Sequence, residues 1–454
     1  MVKSPFMERL RSYFTPTVMS GLGFVLLASG TILNIWYAPT HGQDFAAWWF
    51  PAAQRFAARQ NIYVISGDVM RLSDAVSGVL PPIRIPANAY PPLHAALVAP
   101  LVPLGQPLAQ YVFLLISLAT FMVGLWHLLR VATEWSPAAC LLALGVAMWA
   151  SSLRWSSAQY QLSLAAVGLV CVAMSAEMRN RPIAVVVAMA LCVKFTMLIP
   201  IVAVLILRRK IRTLIASGIL AGALNLACFV WMGFQQSLVG YRLNVANYVV
   251  VNGLNYASIS TFVARLARAP APAVEPPGIL LYPGFDYYYY PEHTHWALLM
   301  SAFTPTFAIA NLVGGALAVA FAVLLAWFGW RQRERWNDRE MLLRWFSVWS
   351  CFGLVAVTHL KYDLLLLIPV SYVSMGIGRT RQTVADRALA FTSFIAAFGL
   401  TVHVTNAWIF GLAVPLKMYW LVPFYVYVAT IVFGVSIWAL ESPARRLSAA
   451  ASRV

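Results

Sequence analysis

The chain has 454 residues, of which 61% are apolar and 10% charged, and its mean hydropathy is +0.74. Soluble domains carry about a quarter charged residues, so one or two soluble domains are excluded. The 32 Lys and Arg against 15 Asp and Glu leave a net charge of +17. In a membrane protein that excess is explained first by basic cytoplasmic loops, without invoking nucleic acid.

The start, MVKSPFMERLRSYF, is basic and no small-residue cleavage site follows the first apolar run, which reads as a cytoplasmic tail entering a retained helix. Apolar spans are then expected at 17–37, 107–130, 136–151, 160–176, 181–193, 196–208, 211–231, 305–330, 342–358, 361–377, 386–405 and 417–440, twelve in all. The stretch YPPLHAALVAPLVPL (90–104) is too short and too rich in Pro to span upright. The run 181–207 is expected to be a hairpin of two short helices. Arg179 and Arg181 precede it, Arg208, Arg209, Lys210 and Arg212 follow it, and Lys194 lies at its tip. With both termini cytoplasmic, 21 of the 32 basic residues fall on inside segments, as the positive-inside rule requires.

Two long loops then face outward, 38–106 and 233–304, and the chain divides as a module at 1–232, the loop 233–304 and C-terminal helices at 305–454, all within one membrane domain. In the first loop Phe45, Trp48, Trp49, Ala52 and Phe56 fall at helical spacing opposite Gln54, Arg55 and Arg59, which predicts an amphipathic helix in the interface. The second loop carries YPGFDYYYYPEH (282–293). Its aromatics suit either the membrane boundary or stacking on sugar rings. No internal repeat of the transporter kind is visible.

Outward acids are few: Asp44, Asp68, Asp74, Glu275, Asp286, Glu292 and Asp363. Asp44 stands directly between the first helix and the aromatic one, where a carboxylate is costly unless solvated, paired or used. A helix N-cap and a catalytic role are both open to it. Lys194, between Val193 and Phe195, is far from either basic cluster and its point charge suits a phosphate; a hairpin-tip lysine reaching headgroups is the alternative. In HLKYD (359–363) His359 suits proton transfer or a hydroxyl, whereas an N-cap is the favoured reading of Asp363. Arg154, Trp155, Gln159 and Gln161 occupy an outward turn, as sugar contacts or as polar glue between helices. His94, His127 and His403 read as packing or interface residues. His293 and His295 are i, i+2 and share no helix face, so no metal site is expected there. The five cysteines lie in apolar segments without a CxxC, against a disulfide framework or zinc site. No nucleotide-binding or hydrolase motif is present.

Several segments occur in an order that resembles a known family: DFAAWWFPAAQRFAARQNIY (44–63), AYPPLHAALVAPLVPL (89–104), WSSAQYQLSL (155–164), AMALCVKFTMLIP (188–200), NGLNYASISTFVARL (252–266) and THLKYDLLLLIP (358–369). The chain looks like the polyprenyl-phosphate-sugar-dependent glycosyltransferases of family 87, in the GT-C superfamily, whose familiar members are mannosyltransferases of lipid assembly. The resemblance implies an all-α, polytopic GT-C-type fold in a bacterial cell membrane with an outward-facing site. It implies a polyprenyl-phosphate-sugar donor, a lipid or glycan acceptor, membrane lipids around the chain, no nucleic acid and no cofactor. It places Asp44 beside the acceptor as general base and Lys194, aided by Arg154, at the donor phosphate. Tyr90, Trp48, Gln159, Asn255 and His359 would contact sugar or acceptor. Where members often carry Gly-Gln-x-Asn, this chain has Ala158-Gln159-Tyr160-Gln161. A lipid or sugar transporter, and a same-fold transferase using a lipid-linked pentose or another donor, stand as alternative readings.

Overall fold

The structure, a computed structural model, describes residues 15–38, 44–63, 90–251, 280–281, 288–289, 307–335, 338–356, 361–377, 382–399 and 424–451. It is helical apart from a two-residue antiparallel pairing of Leu280–Leu281 with Tyr288–Tyr289. The first helix, α1 (Pro16–Tyr37), begins at Thr15, whose hydroxyl accepts from Val18 N at 3.2 Å. Ser136 does the same for Ala139 N at the start of Pro137–Ala147. In both, a Ser or Thr cap precedes Pro at the first helical position, where the missing N–H costs nothing.

The outer-loop helix arrives in two pieces, a π-turn at Phe45–Trp49 and α2 (Phe50–Ala57). Its predicted apolar face is real: Phe45, Trp49, Phe50 and Ala52 are buried, and Gln54, Arg55 and Arg59 are exposed. It does not lie free in the interface, however. It packs on protein, against α3 (Leu93–Val98) and the 3-10 turn Ala99–Leu104, because that short Pro-punctuated segment offers a matching apolar surface. Gly105, at φ +72°, then turns the chain into α4 (Gly105–Ala132), whose 28 residues cover the span expected at 107–130.

Next come α5 (Pro137–Ala147) and α6 (Ser151–Ala158), bent by 58° to one another, then α7 (Ser163–Met178). Helices α4 and α7 meet at Gly124 and Gly168, where a Cβ on either would collide with the other's backbone, at the Gly168 and Thr120 carbonyls. Small residues at such a crossing let two membrane helices touch directly. The run 181–207 does break as predicted. Helix α8 (Pro182–Leu191) stops before Cys192, and a 3-10 turn (Phe195–Leu198) leads into α9 (Ile199–Leu207). The basic ends meet: Arg208 pairs with Glu177 at 2.6 Å and Lys210 donates to Asn180 at 3.2 Å.

Helix α10 (Ile211–Trp231) matches the expected span residue for residue, and α11 (Phe234–Val251) occupies the start of the expected second loop. The remainder comprises α12 (Phe307–Arg331), α13 (Arg339–Ala356), a 3-10 segment (Lys361–Leu366) with α14 (Leu367–Gly376), α15 (Val384–Phe394) ending in a π-turn (Ile395–Gly399), and α16 (Phe424–Ala451). Twelve spans are not carried by helix length. Among the described residues five helices are long and apolar enough to cross a membrane, six if the bent α5–α6 pair counts as one. The helices at 163–178, 182–191, 195–207 and 363–376 are apolar but short, because the apolar runs bend or break inside the bundle.

Candidate active site

Four broken elements converge on one end of the bundle. Helix α6 packs against the 3-10 segment at 361–366 and the π-turn at 395–399. Helix α7 packs against that same 3-10 segment and against the turn at 195–198. Helix breaks expose backbone and aim side chains inward, which is where polar groups can be held inside an apolar protein.

Lys194 is buried at the break between α8 and α9. Its ammonium donates to both oxygens of Asp363, at 2.6 and 2.7 Å, and to the Ser163 hydroxyl at 2.9 Å; that hydroxyl donates in turn to Asp363 at 2.6 Å. The reading of Asp363 as an N-cap in a solvated turn is thereby corrected, since it is 1% exposed and paired. A buried ammonium costs several kcal/mol unless paired and hydrogen-bonded. Asp363 is the group that meets this cost. The alternative for Lys194, a lysine reaching out to headgroups, fails for the same reason.

Asp44 sits half-buried at the start of the π-turn at Phe45–Trp49 and makes no cap hydrogen bond there, so the N-cap reading is not met. Instead it accepts from the Gln161 side-chain amide. Burial drives its pKa from 3.8 up to about 6, against the opposing pull of the Lys194 charge and the Gln161 hydrogen bond. The two residues singled out from sequence, 150 positions apart, therefore sense each other across one site.

The turn that presents Gln161 is unusual. Tyr160 takes a left-handed conformation, φ +50°, which bulky residues rarely adopt. It is held there by its ring against Phe45 (5.9 Å between centroids) and by its hydroxyl accepting from Gln110 at 3.1 Å. Gln159, the residue favoured from sequence, is half-buried one position before the twist, so Gln161 is the one that reaches Asp44.

Arg154 lies on α6, the helix packed against the Asp363 segment. Its buried Nε, together with the buried hydroxyls of Ser152, Ser156 and Ser157, has no hydrogen-bond partner among the described residues. Of these, Ser152 and Ser156 are four residues apart and share a face of this two-turn helix. Trp48 is half-buried against the core. Tyr90 is half-buried too, its ring edge-on to Trp49 (5.0 Å) and its carbonyl accepting from the Tyr63 hydroxyl at 2.8 Å. His94, read as a packing residue, is buried against Trp49 at 5.4 Å with Nδ1 at 2.6 Å from the Pro91 carbonyl. His359 and Asn255 lie outside the described residues, as do His293, His295 and the side chain of Lys361. Among the described residues no three His, Cys, Asp or Glu side chains gather as metal ligands would.

Sequence reading missed three of these residues in their present roles: Asp363, Ser163 and Gln161. The signal for Asp363 was present, because a lysine too deep to reach water requires a carboxylate and few acids were available to supply one.

The sequence profile of glycosyltransferase family 87 matches residues 88–358, more than half of the chain, and its match starts after Asp44 and ends before Asp363. No curated protein and no solved structure matches the chain. A multi-pass helical bundle with a buried polar site and this extended profile match identify the chain as a member of glycosyltransferase family 87, a membrane glycosyltransferase.

Proposed function

We propose that the chain moves one sugar, mannose in the first instance, from a polyprenyl-phosphate donor to a lipid or glycan acceptor on the outer face of a bacterial inner membrane. Both termini are cytoplasmic, and the short helices complete twelve passes as half-length or tilted elements. The meeting of the two basic turns at 177–181 and 208–212, one helix length from Lys194, supports that orientation.

The reading rests chiefly on one observation: a carboxylate with a pKa pushed up to about 6 stands within the field of a buried lysine. A base poised near the working pH transfers protons most effectively. Asp44 takes the proton from the acceptor hydroxyl as its oxygen attacks the anomeric carbon. The bond from that carbon to the phosphate oxygen breaks, and the electron pair leaves with the phosphate. Lys194 and Arg154 stabilise the charge that gathers on the leaving group. A single displacement inverts the anomeric centre. Trp48, Tyr90, Gln159, Asn255 and His359 flank the sugar and acceptor, and Gln161 orients Asp44.

Purified protein in lipid nanodiscs, given polyprenyl-phosphate-mannose and a lipid extract, should yield a mannosylated lipid of inverted configuration. Asp44→Asn should yield none while keeping its thermal midpoint. Sustained turnover by Asp44→Asn would remove Asp44 as the base, and trans-bilayer movement of donor without a new glycosidic bond would replace transfer with transport.

A further inference from the structure

A second polar region lies at the other end of α8 and α9, about 15 Å from Lys194 by the rise of ten helical residues. There a cavity of about 460 Å³ opens between the turn after α9 and the turn after α12. Its walls include Arg208, Arg209, Lys210 and Arg333, against one lining carboxylate, Glu334. Two of the four cations have partners already, Arg208 with Glu177 and Lys210 with Asn180. The other two are held differently. The guanidinium carbons of Arg209 and Arg333 lie 5.2 and 5.4 Å from the centroid of one ring, that of Trp330. A guanidinium resting on an aromatic ring is positioned without spending its N–H edge, which stays available for an anion. Arg209 also sits at φ +57°, so the turn between α9 and α10 is a tight one.

Basic topology signals account for the number of these charges but not for their arrangement. A solvated positive face repels itself outward. Here two elements distant in sequence bring guanidinium groups to a shared indole beside a concave wall. The surroundings say what kind of anion fits. Ile206 and Ile211 flank the basic turn and are 49% and 44% exposed, and Trp330 is 54% exposed. Trp327, one turn back on α12, is 52% exposed with Arg331 4.0 Å from its ring centroid. Tryptophan beside arginine marks the headgroup level of a bilayer, and exposed isoleucines at the same level meet acyl chains.

We infer that this cavity binds the phosphate headgroup of an anionic lipid from the leaflet at that end of the bundle, with the acyl chains lying along Ile206, Ile211 and Trp330. Basic pockets between transmembrane helices are suited to such headgroups. Forked donors from Arg209 and Arg333 would take phosphate oxygens, and Leu207 would face the glycerol.

The test uses the full chain in detergent, with phosphatidylglycerol, phosphatidylcholine of the same acyl chains and inorganic phosphate as probes. Native mass spectrometry reads the bound lipid, independently of glycosyl transfer. The expected result is retention of phosphatidylglycerol over phosphatidylcholine, and about a tenfold weaker retention in Arg209→Gln/Arg333→Gln. Arg331→Gln, outside the cavity, should bind as the parent does. Should the double variant elute as aggregate, Arg333→Gln alone, at an exposed position, should still weaken binding by several-fold. Equal retention of both lipids, or undiminished binding by the Arg333→Gln variants, overturns the proposal. Inorganic phosphate that displaces the lipid at comparable concentration overturns it as well, in favour of a soluble anion.

Discussion

Two buried cation–carboxylate pairs, Arg344–Asp386 and Lys194–Asp363, look alike in burial and differ in what surrounds them. Asp386 accepts from Arg344 Nε at 3.0 Å and Nη2 at 2.8 Å, and from the backbone and hydroxyl of Thr383 at 2.7 and 2.9 Å. The arrangement doubles as a capping box for α15, joining that helix to α13 by a planar fork that leaves no carboxylate oxygen to spare. Lys194 is a compact ammonium whose three donors go to a carboxylate and a serine, in the field of a second carboxylate with a raised pKa and near a helix whose Arg154 Nε and three serine hydroxyls have no partner among the described residues. The first pair is closed and rigid, a staple. The second places a titratable carboxylate, Asp44, within the field of the same cation. Burial and distance alone do not separate the two pairs; the groups beside them do.

The largest effect is expected at Asp44. Asp44→Asn should lower turnover by about 10²–10⁴-fold with little change in thermal midpoint, measured by single-turnover transfer and differential scanning fluorimetry. Next come the pairs themselves. Lys194→Ala and Arg344→Ala each leave a buried carboxylate unpaired and should each cost about 3–5 kcal/mol. Replacing both partners with apolar residues should recover much of that stability. The recovered proteins should then diverge: Arg344→Met/Asp386→Leu retains transfer per folded molecule, whereas Lys194→Met/Asp363→Leu does not. Robust transfer by the latter would erase the distinction between the two pairs.

A gentler probe is pH. With Asp44 ionised in the reactive form and its pKa near 6, kcat/KM should fall about tenfold per unit as pH drops below that value and level off above it. Gln161→Leu removes an interaction that lowers this pKa and should move the acidic limb to higher pH; Arg344→Ala should leave the limb in place. The sign for stability is opposite. The folded state holds the Asp44 proton more tightly than the unfolded chain does, so this group favours folding below pH 3.8 and loses that contribution as pH rises through about 6. The smallest effect is expected at Thr383→Ala, which should cost about 1 kcal/mol through the lost cap and leave kcat/KM unchanged.

Local features of the fold were legible in the sequence. The bounds of Ile211–Trp231, the short Pro-punctuated segment after Tyr90 and the break at Lys194 follow from hydropathy, proline and charge placement, all properties of neighbouring residues. What failed to show was whatever depends on distant pairing or on a bend. Asp363 lies 169 positions from Lys194, and no local pattern announces that bond. Whether Gln159 or Gln161 reaches Asp44 turns on the left-handed Tyr160 between them, a conformation that composition does not encode. Helix length was illegible for a related reason, since hydropathy registers apolar residues but not the 58° bend between α5 and α6.

In the proposed reaction, with the donor phosphate at Lys194, the sharing of that lysine with Asp363 has a consequence for how the cycle closes. A sugar-bearing polyprenyl phosphate is a diester with one negative charge; the product left after transfer is a monoester, whose second ionisation near pH 6 takes it towards two. A site with an unshared lysine would grip its product harder than its substrate and stall there. With Asp363 already drawing on the same ammonium, the extra charge on the product meets repulsion as well as attraction. The carboxylate that makes the lysine tolerable in a folded protein would thus also set how long spent donor stays.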